Sequence, residues 1–238
     1  MKVGIVGANG FIGQALCRAV ATHPAVLEPV MISRQTYAQH KAQEYDVLIN
    51  TAMPSKRFWA FQNPLLDFDA TVRLTAELIY EWKYGKFVQI SSLSARTQLD
   101  VPYGINKRTA ESLVETHEHS LIIRLAALYG KGFNKGALHD LIHRKKVYVD
   151  IHSAYNYLDV DFAAAWIIDN INQTGIKEIA ARDTITLAEI AQEAWPEVEY
   201  EGKKEIVYSD RVEAGMPSSQ EVWKYVRQEL LKTAPDKR

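Results

Sequence analysis

Three polar side chains near the middle of the sequence could together move a proton. Tyr103 and Lys107 are four residues apart, so on a helix they share one face. A phenol with a pKa of about 10 is a poor acid or base at neutral pH, but a nearby ammonium group favours its ionised form. Ser92 ends a short apolar run and can donate a hydrogen bond to an oxygen atom near the phenol. The three side chains therefore predict acid–base chemistry at an oxygen atom.

A second pattern, GANGFIG at residues 7–13, has a glycine at every third position. An apolar run precedes it and a helical pattern follows it, so it lies where a strand turns into a helix. Gly7 permits the tight turn, Gly10 lets the backbone approach a pyrophosphate, and Gly13 lets the helix pack close to the strand. Free N–H groups and the helix dipole attract phosphates there. The pattern predicts a dinucleotide site.

The residues after the second apolar run indicate which nicotinamide dinucleotide is bound. An NAD site has an acidic residue about 20 residues beyond the glycines, whereas an NADP site offers an arginine to the 2′-phosphate. Here the run Val30–Ile32 leads into Ser33 and Arg34, and no carboxylate follows before Glu44. We therefore favour NADP(H), with Arg34 as the charged clamp and Ser33 as a hydrogen-bond donor. NAD(H) stays possible.

Short apolar runs alternate with helical patterns over the first 130 residues. This order predicts an α/β protein of the Rossmann type, with a doubly wound parallel sheet. The predicted strands are Lys2–Val6, Val30–Ile32, Asp46–Asn50, Lys86–Ser91 and Leu121–Leu125, and the predicted helices include residues 65–84 and 103–117.

The domain prediction divides the chain near residue 130. Residues 1–130 form an NAD(P)-binding Rossmann domain with the catalytic side chains. Residues 131–238 form mainly a small C-terminal substrate-binding annex, which is interleaved with the Rossmann core through a final sheet strand and a helix within about 147–172. The strand is expected at 147–151.

Composition narrows the class of partner. The net charge is −1, and the longest run of like charges is Arg144–Lys146, so no nucleic-acid or membrane surface is predicted. The only cysteine, Cys17, and the lack of a signal peptide or long apolar stretch indicate the cytoplasm. His139 and His143 could share a metal, but no third ligand is apparent, and no metal site is predicted.

Six motifs occur in the order typical of one superfamily. They are GANGFIG at 7–13, NTA at 50–52, VQISS at 88–92, YGINK at 103–107, RLAALYG at 124–130 and YLDVDFAAA at 157–165. Over about residues 1–170 the sequence resembles the extended short-chain dehydrogenase/reductases, the NAD(P)-dependent epimerase/dehydratase group. At 238 residues the chain is a short member, and its Ser92–Tyr103 interval is compressed.

The resemblance implies a role for each matching residue. Ser92 orients a carbonyl group, Tyr103 is the general acid or base, and Lys107 tunes the tyrosine and binds the nicotinamide ribose. The cofactor residues implied by the motifs, beyond those named above, are Asn9, Phe11, Ile12, Asn50, Thr51, Ala52, Ile90, Leu125 and Leu128.

The resemblance also orders the possible reactions. Dehydratases of this group have Asp-Glu after the catalytic hydroxyl, whereas this chain has Leu93–Ser94. Simple epimerases of the group usually have an acidic residue where this chain has Ser33–Arg34. We therefore expect reduction of a keto group by NADPH, on a sugar, a sugar nucleotide or another small carbonyl compound. An NAD-dependent sugar-nucleotide epimerase and a non-catalytic dinucleotide-binding sensor are the alternatives. Members often form homodimers through the helices corresponding to about 65–84 and 103–117.

Overall fold

The computed structural model describes residues 1–25 and 27–233. The strands are β1 Lys2–Val6, β2 Glu28–Ile32, β3 Glu44–Asn50, β4 Lys83–Ser92, β5 Ser120–Leu125, β6 Leu128–Tyr129, β7 Ala154–Tyr155, β8 Leu158–Asp159, β9 Gly175–Ile179, β10 Ile185–Thr186 and β11 Ile206–Val207. The helices are α1 Phe11–Thr22, α2 Tyr37–His40, α3 Arg57–Gln62, α4 Pro64–Phe68, α5 Leu74–Glu81, α6 Ser94–Thr97, α7 Pro102–Val114, α8 Ala137–Ile142, α9 Val160–Asp169, α10 Leu187–Ala194 and α11 Val222–Thr233.

The chain forms two compact units. The first contains Met1–Leu125 and Val160–Glu178, and the second contains Ala126–Asp159 and the chain from Ile179 onward. The last five residues of the predicted annex, 234–238, lie outside the described residues.

The first unit contains a six-stranded sheet with the order β2-β1-β3-β4-β5-β9. The pairs from β2 to β5 are all parallel, and buried residues of α5 and α7 pack with the sheet strands in one apolar core. Helix α1 packs against α9. The predicted Rossmann-type architecture is confirmed. In such a sheet, ligands bind where the strand order reverses, beyond the carboxyl ends of the strands.

The helix predicted over 65–84 differs from the structure. It is formed by α4, a π-helical turn at Asp69–Arg73 and α5, and it ends at Glu81. Trp82 adopts an extended conformation, with its buried ring against Tyr37 and Tyr45. The helical pattern of the sequence continues past Glu81. The structure ends the helix there because the Trp82 indole is buried against residues distant in sequence, and β4 begins at Lys83.

The strand predicted at 147–151 is wrong. Those residues contain only an isolated bridge from Val147 to Tyr200, and the sixth strand of the sheet is β9 at Gly175–Ile179. The sequence of β9, GIKEI, includes two charged residues, so it does not form the apolar run that predicts a strand. The Glu178 carboxylate is nevertheless buried, because it forms ion pairs with Arg96 and Arg124.

The second unit consists of short elements. Strand β7 pairs antiparallel with β10 and parallel with β11, while β6 pairs parallel with β8. Helix α10 begins with a capping box, in which Thr186 and Glu189 bond each other's backbone N–H groups. Throughout residues 1–25 and 27–233, the helices are too short or too polar to span a membrane.

Candidate active site

The glycine turn connects β1 to α1 at the carboxyl edge of the sheet. Gly7 has a φ of +83°, and a Cβ atom there would lie 2.8 Å from the backbone of Ala52. A Cβ atom at Gly13 would collide with the carbonyl oxygen of Gly7. Helix α1 begins after Gly10 without a side-chain cap, as is usual where a phosphate binds at a helix N-terminus. Close packing and an uncapped helix fit a dinucleotide pyrophosphate.

The end of β3 lies beside this turn. Thr51 donates its backbone N–H and its hydroxyl to the Val6 carbonyl oxygen, at 2.9 and 2.8 Å. The Asn50 amide is wholly buried, donates to Gln89 at 3.1 Å and accepts from the Ala52 N–H group at 3.1 Å. Its side chain is therefore occupied by protein partners and shapes the loop beside the glycines.

The residues expected to choose the cofactor follow β2 at the same edge. Gly7 donates its N–H to the Ile32 carbonyl oxygen at 2.9 Å, so Ser33 and Arg34 come directly after a residue that touches the glycine turn. The Ser33 N–H bonds the Thr36 hydroxyl at 3.0 Å. Arg34 is exposed, and its guanidinium group can reach solvent and a ligand.

Strand β4 and helix α7 bring the predicted catalytic side chains together. Ser92 is the last residue of β4, and Tyr103 is in the first turn of α7, where Ser92 lies close enough to the phenol to lower its pKa. A Cβ atom at Gly104 would collide with the Gln98 carbonyl oxygen. Glycine at 104 thus lets α7 approach the segment after Ser92 closely enough to form the Ser92–Tyr103 pair.

The pKa of the Tyr103 hydroxyl differs from the expectation. Burial is the largest influence and raises the pKa, while the nearby Ser92 hydroxyl and the Arg57 charge lower it and the Asp67 charge raises it. Lys107 was expected to lower this pKa, but its Nζ atom donates to the Pro54 carbonyl oxygen at 2.9 Å and lies 5.1 Å above the tyrosine ring centroid. Burial of the phenol outweighs the influences that lower its pKa.

Lys107 is itself strongly affected by its surroundings. It is almost completely buried, and burial lowers its pKa to about 7, although the charges of Asp67 and Glu111 act in the opposite direction. The ammonium group is thus close to its titration midpoint at neutral pH.

A buried ionic cluster behind Tyr103 and Lys107 escaped the sequence analysis. Glu111 of α7 accepts from the Ser91 hydroxyl at 2.6 Å and from Arg124 Nη2 at 2.7 Å. Arg124 also contacts Glu178 of β9 at 3.4 Å. The cluster fastens α7 to β4, β5 and β9. Two features of the sequence could have indicated this cluster. Glu111 lies four residues after Lys107, and an arginine interrupts the apolar run at 121–125.

The other predicted cofactor residues are distributed between both units. Asn9, Phe11 and Ile12 belong to the glycine turn and the start of α1. Ile90 is buried within β4, and Leu125 ends β5 opposite Ser92 in the strand register. Leu128 belongs to the second unit. Arg57 and Asp67 were not predicted, and both act electrostatically on Tyr103.

Solved structures of similar fold include both reductases and epimerases. A dTDP-4-dehydrorhamnose reductase from Clostridium acetobutylicum is 16% identical with a TM-score of 0.75, covering 96% of this chain and 99% of that chain. The RMD protein of Pseudomonas aeruginosa, solved with NADPH, is 16% identical with a TM-score of 0.76 over 97% and 99%. A UDP-glucose 4-epimerase from Thermotoga maritima, solved with UDP-glucose, is 16% identical with a TM-score of 0.74 over 98% and 99%.

The comparison with curated protein sequences found no match. The family comparison matches residues 3–154 to the NAD dependent epimerase/dehydratase family. This segment contains the glycine turn, Ser92, Tyr103 and Lys107. The chain belongs to the NAD dependent epimerase/dehydratase family and is an NAD(P)-dependent oxidoreductase or epimerase.

Proposed function

We propose that this protein is an NADP(H)-dependent reductase of a keto group on a sugar or sugar nucleotide. The observation behind this proposal is the juxtaposition of Ser92, at the end of β4, with Tyr103 at the start of α7, with Lys107 one helical turn further along α7. Similarity to a dTDP-4-dehydrorhamnose reductase solved with NADP, and to the RMD protein solved with NADPH, supports the reaction class.

The protonation state of Tyr103 favours reduction. Because burial raises the pKa of its hydroxyl group, the phenol stays protonated at neutral pH and can act as an acid. When bound, the reduced nicotinamide supplies a hydride to the carbonyl carbon. Ser92 holds the carbonyl oxygen by a hydrogen bond, and Tyr103 gives its proton to the same oxygen as it becomes an alkoxide. Solvent then restores the phenol proton.

Cofactor binding is assigned to the glycine turn and the end of β2. The α1 N-terminus and the glycines would hold the pyrophosphate, and the exposed Arg34 would bind a 2′-phosphate. Lys107 would bind the nicotinamide ribose. We assign substrate binding to the second unit.

We further propose that the protein acts in the cytoplasm, because its single cysteine is typical of proteins from a reducing compartment.

The direct test replaces Tyr103 by phenylalanine, which keeps the buried ring and removes the proton donor. Wild-type protein should oxidise NADPH with at least one member of a panel of keto-sugar nucleotides and simple carbonyl compounds. Tyr103→Phe should lose activity by about 10²–10⁴-fold, while NADPH binding measured by fluorescence titration is retained. Undiminished turnover in this variant would refute the assigned mechanism.

The same panel separates the alternatives. Stoichiometric NAD released from the purified protein, together with no NADPH oxidation, would identify a redox-neutral epimerase. Tight NADPH binding without turnover on any carbonyl compound would identify a dinucleotide sensor.

We also propose that the protein forms a homodimer through the α4–α5 and α7 region. Large apolar side chains on these helices are exposed, namely Leu65, Leu66, Phe68, Tyr80 and Ile105. Burial of such side chains between two copies is the usual driving force for association.

A further inference from the structure

A buried polar pair connects α4 to α7 immediately beside the proposed catalytic lysine. Asp67 is completely buried, and its Oδ2 atom accepts a hydrogen bond from Asn106 Nδ2 at 2.7 Å. Asn106 precedes Lys107 in α7. The second carboxylate oxygen of Asp67, Oδ1, has no hydrogen-bond partner among the described residues. A buried carboxylate with one unpaired oxygen is costly unless a positive charge lies nearby.

The charges around Lys107 show which anion can compensate its ammonium group. Asp67 on α4 and Glu111 on α7 are the two carboxylates that act on it, and the Tyr103 ring lies beneath it. Glu111 is already neutralised, because Arg124 and Arg108 both form ion pairs with it. Arg57 acts on Tyr103.

Asp67, by contrast, forms no ion pair with any residue in 1–25 or 27–233. Its hydrogen bond to Asn106, the residue before Lys107, holds the carboxylate against α7 and leaves its charge in place, because an amide is neutral. The carboxylate is therefore the uncompensated negative charge in the surroundings of Lys107.

We propose that Asp67 is a positioning residue, fixed by Asn106 where α4 meets α7, whose buried carboxylate favours the ammonium form of Lys107. The use of that ammonium group in turnover rests on the proposed function, whereas the effect of Asp67 on Lys107 does not. Loss of the Asp67 charge should make Lys107 release its proton at lower pH. A neutral lysine would interact less favourably with a ribose hydroxyl or with the phenolate that Tyr103 becomes.

The test measures Lys107 directly by NMR titration of protein labelled with ¹³C at the lysine ε-carbon, with the signal assigned from the Lys107→Met variant. Asp67→Asn removes the charge and keeps an oxygen that can accept from Asn106. This variant should lower the Lys107 pKa by about one unit, which is about tenfold in proton affinity. Asn106→Ser is the matched control, since it removes the hydrogen bond and retains the charge, and it should shift the pKa much less.

An unchanged Lys107 titration in folded Asp67→Asn protein would overturn the proposal, and so would an equal shift in Asn106→Ser. If Asp67→Asn does not fold, as judged by circular dichroism, Asp67→Ser provides a second neutral variant with the same expected shift.

Activity supplies an independent readout. If Lys107 must be charged for turnover, the rate of NADPH oxidation falls as pH rises through its pKa, and Asp67→Asn should move this fall to lower pH by the shift seen in NMR. The NMR result stands even if no carbonyl substrate is reduced, so failure of the proposed function and failure of this inference are distinguishable.

Discussion

At the scale of single residues, Arg34 is the side chain that distinguishes the two nicotinamide dinucleotides. It is exposed and comes two residues after Ile32, whose carbonyl oxygen accepts from Gly7. A guanidinium group binds a phosphate by charge-assisted hydrogen bonds but gains little from a ribose hydroxyl. The contribution of Arg34 should therefore appear with NADPH and not with NADH.

We predict that Arg34→Ala weakens NADPH binding by about tenfold or more, since a hydrogen bond to a charged group contributes about 1.5–3 kcal/mol. NADH binding should change little. Fluorescence titration with each dinucleotide measures the two dissociation constants. The control is Gln35→Ala, which changes an exposed neighbour of Arg34. Equal losses for the two dinucleotides, or no loss for NADPH, would contradict the assignment of Arg34.

At the scale of secondary-structure elements, the Glu111 cluster fixes the position of α7 against the sheet. Its carboxylate contacts Ser91, the neighbour of Ser92, and Arg124 of β5. Breaking a buried ion pair by removing one charge leaves the other without compensation, which costs about 3–5 kcal/mol. The cluster should accordingly contribute to stability as well as to the placement of Tyr103 and Lys107.

We predict that Glu111→Gln lowers the free energy of unfolding by about 3–5 kcal/mol, measured by urea denaturation. Glu193→Gln is the matched control, because Glu193 also pairs with an arginine, Arg227, but both side chains are exposed. An exposed pair contributes about 0–1 kcal/mol. Similar losses in the two variants would show that burial of the Glu111 cluster is not what stabilises the first unit.

At the scale of the whole molecule, the proposed dimer depends on side chains that a monomer leaves in water. Leu65 on α4 is 79% exposed, and Phe58 and Phe61 on the preceding helix α3 are 72% and 68% exposed. Exposed apolar residues gathered on one short segment mark an interaction surface more often than scattered ones do.

We predict that light scattering after gel filtration gives twice the chain mass of 27.0 kDa for wild-type protein. Leu65→Asp should give a single-chain mass, since a charge in an apolar interface is costly. Leu231→Asp on α11, where the leucine is equally exposed at 79%, should stay dimeric. A wild-type monomer, or dissociation by both variants, would refute this interface.

The glycine turn, the alternating strands and helices, and the candidate catalytic residues were all predicted from the sequence, because each depends on local spacing. Glycines next to a strand, and a tyrosine one helical turn from a lysine, are patterns that a short segment contains in full. The strand predicted at 147–151 failed for the same reason, because β9 contains Lys177 and Glu178 and is recognisable only with Arg124 beside it.

Tertiary structure alone decided the electrostatics of the site. Asp67 and Asn106 are 39 residues apart in the sequence, and nothing local to either residue indicates that they meet. Burial sets the pKa direction of both Tyr103 and Lys107, and burial follows from how helices pack on the sheet. The sequence thus determined which groups could perform the chemistry, and long-range packing determined the direction in which their pKa values shift, since electrostatic energies depend on distance and solvent exposure.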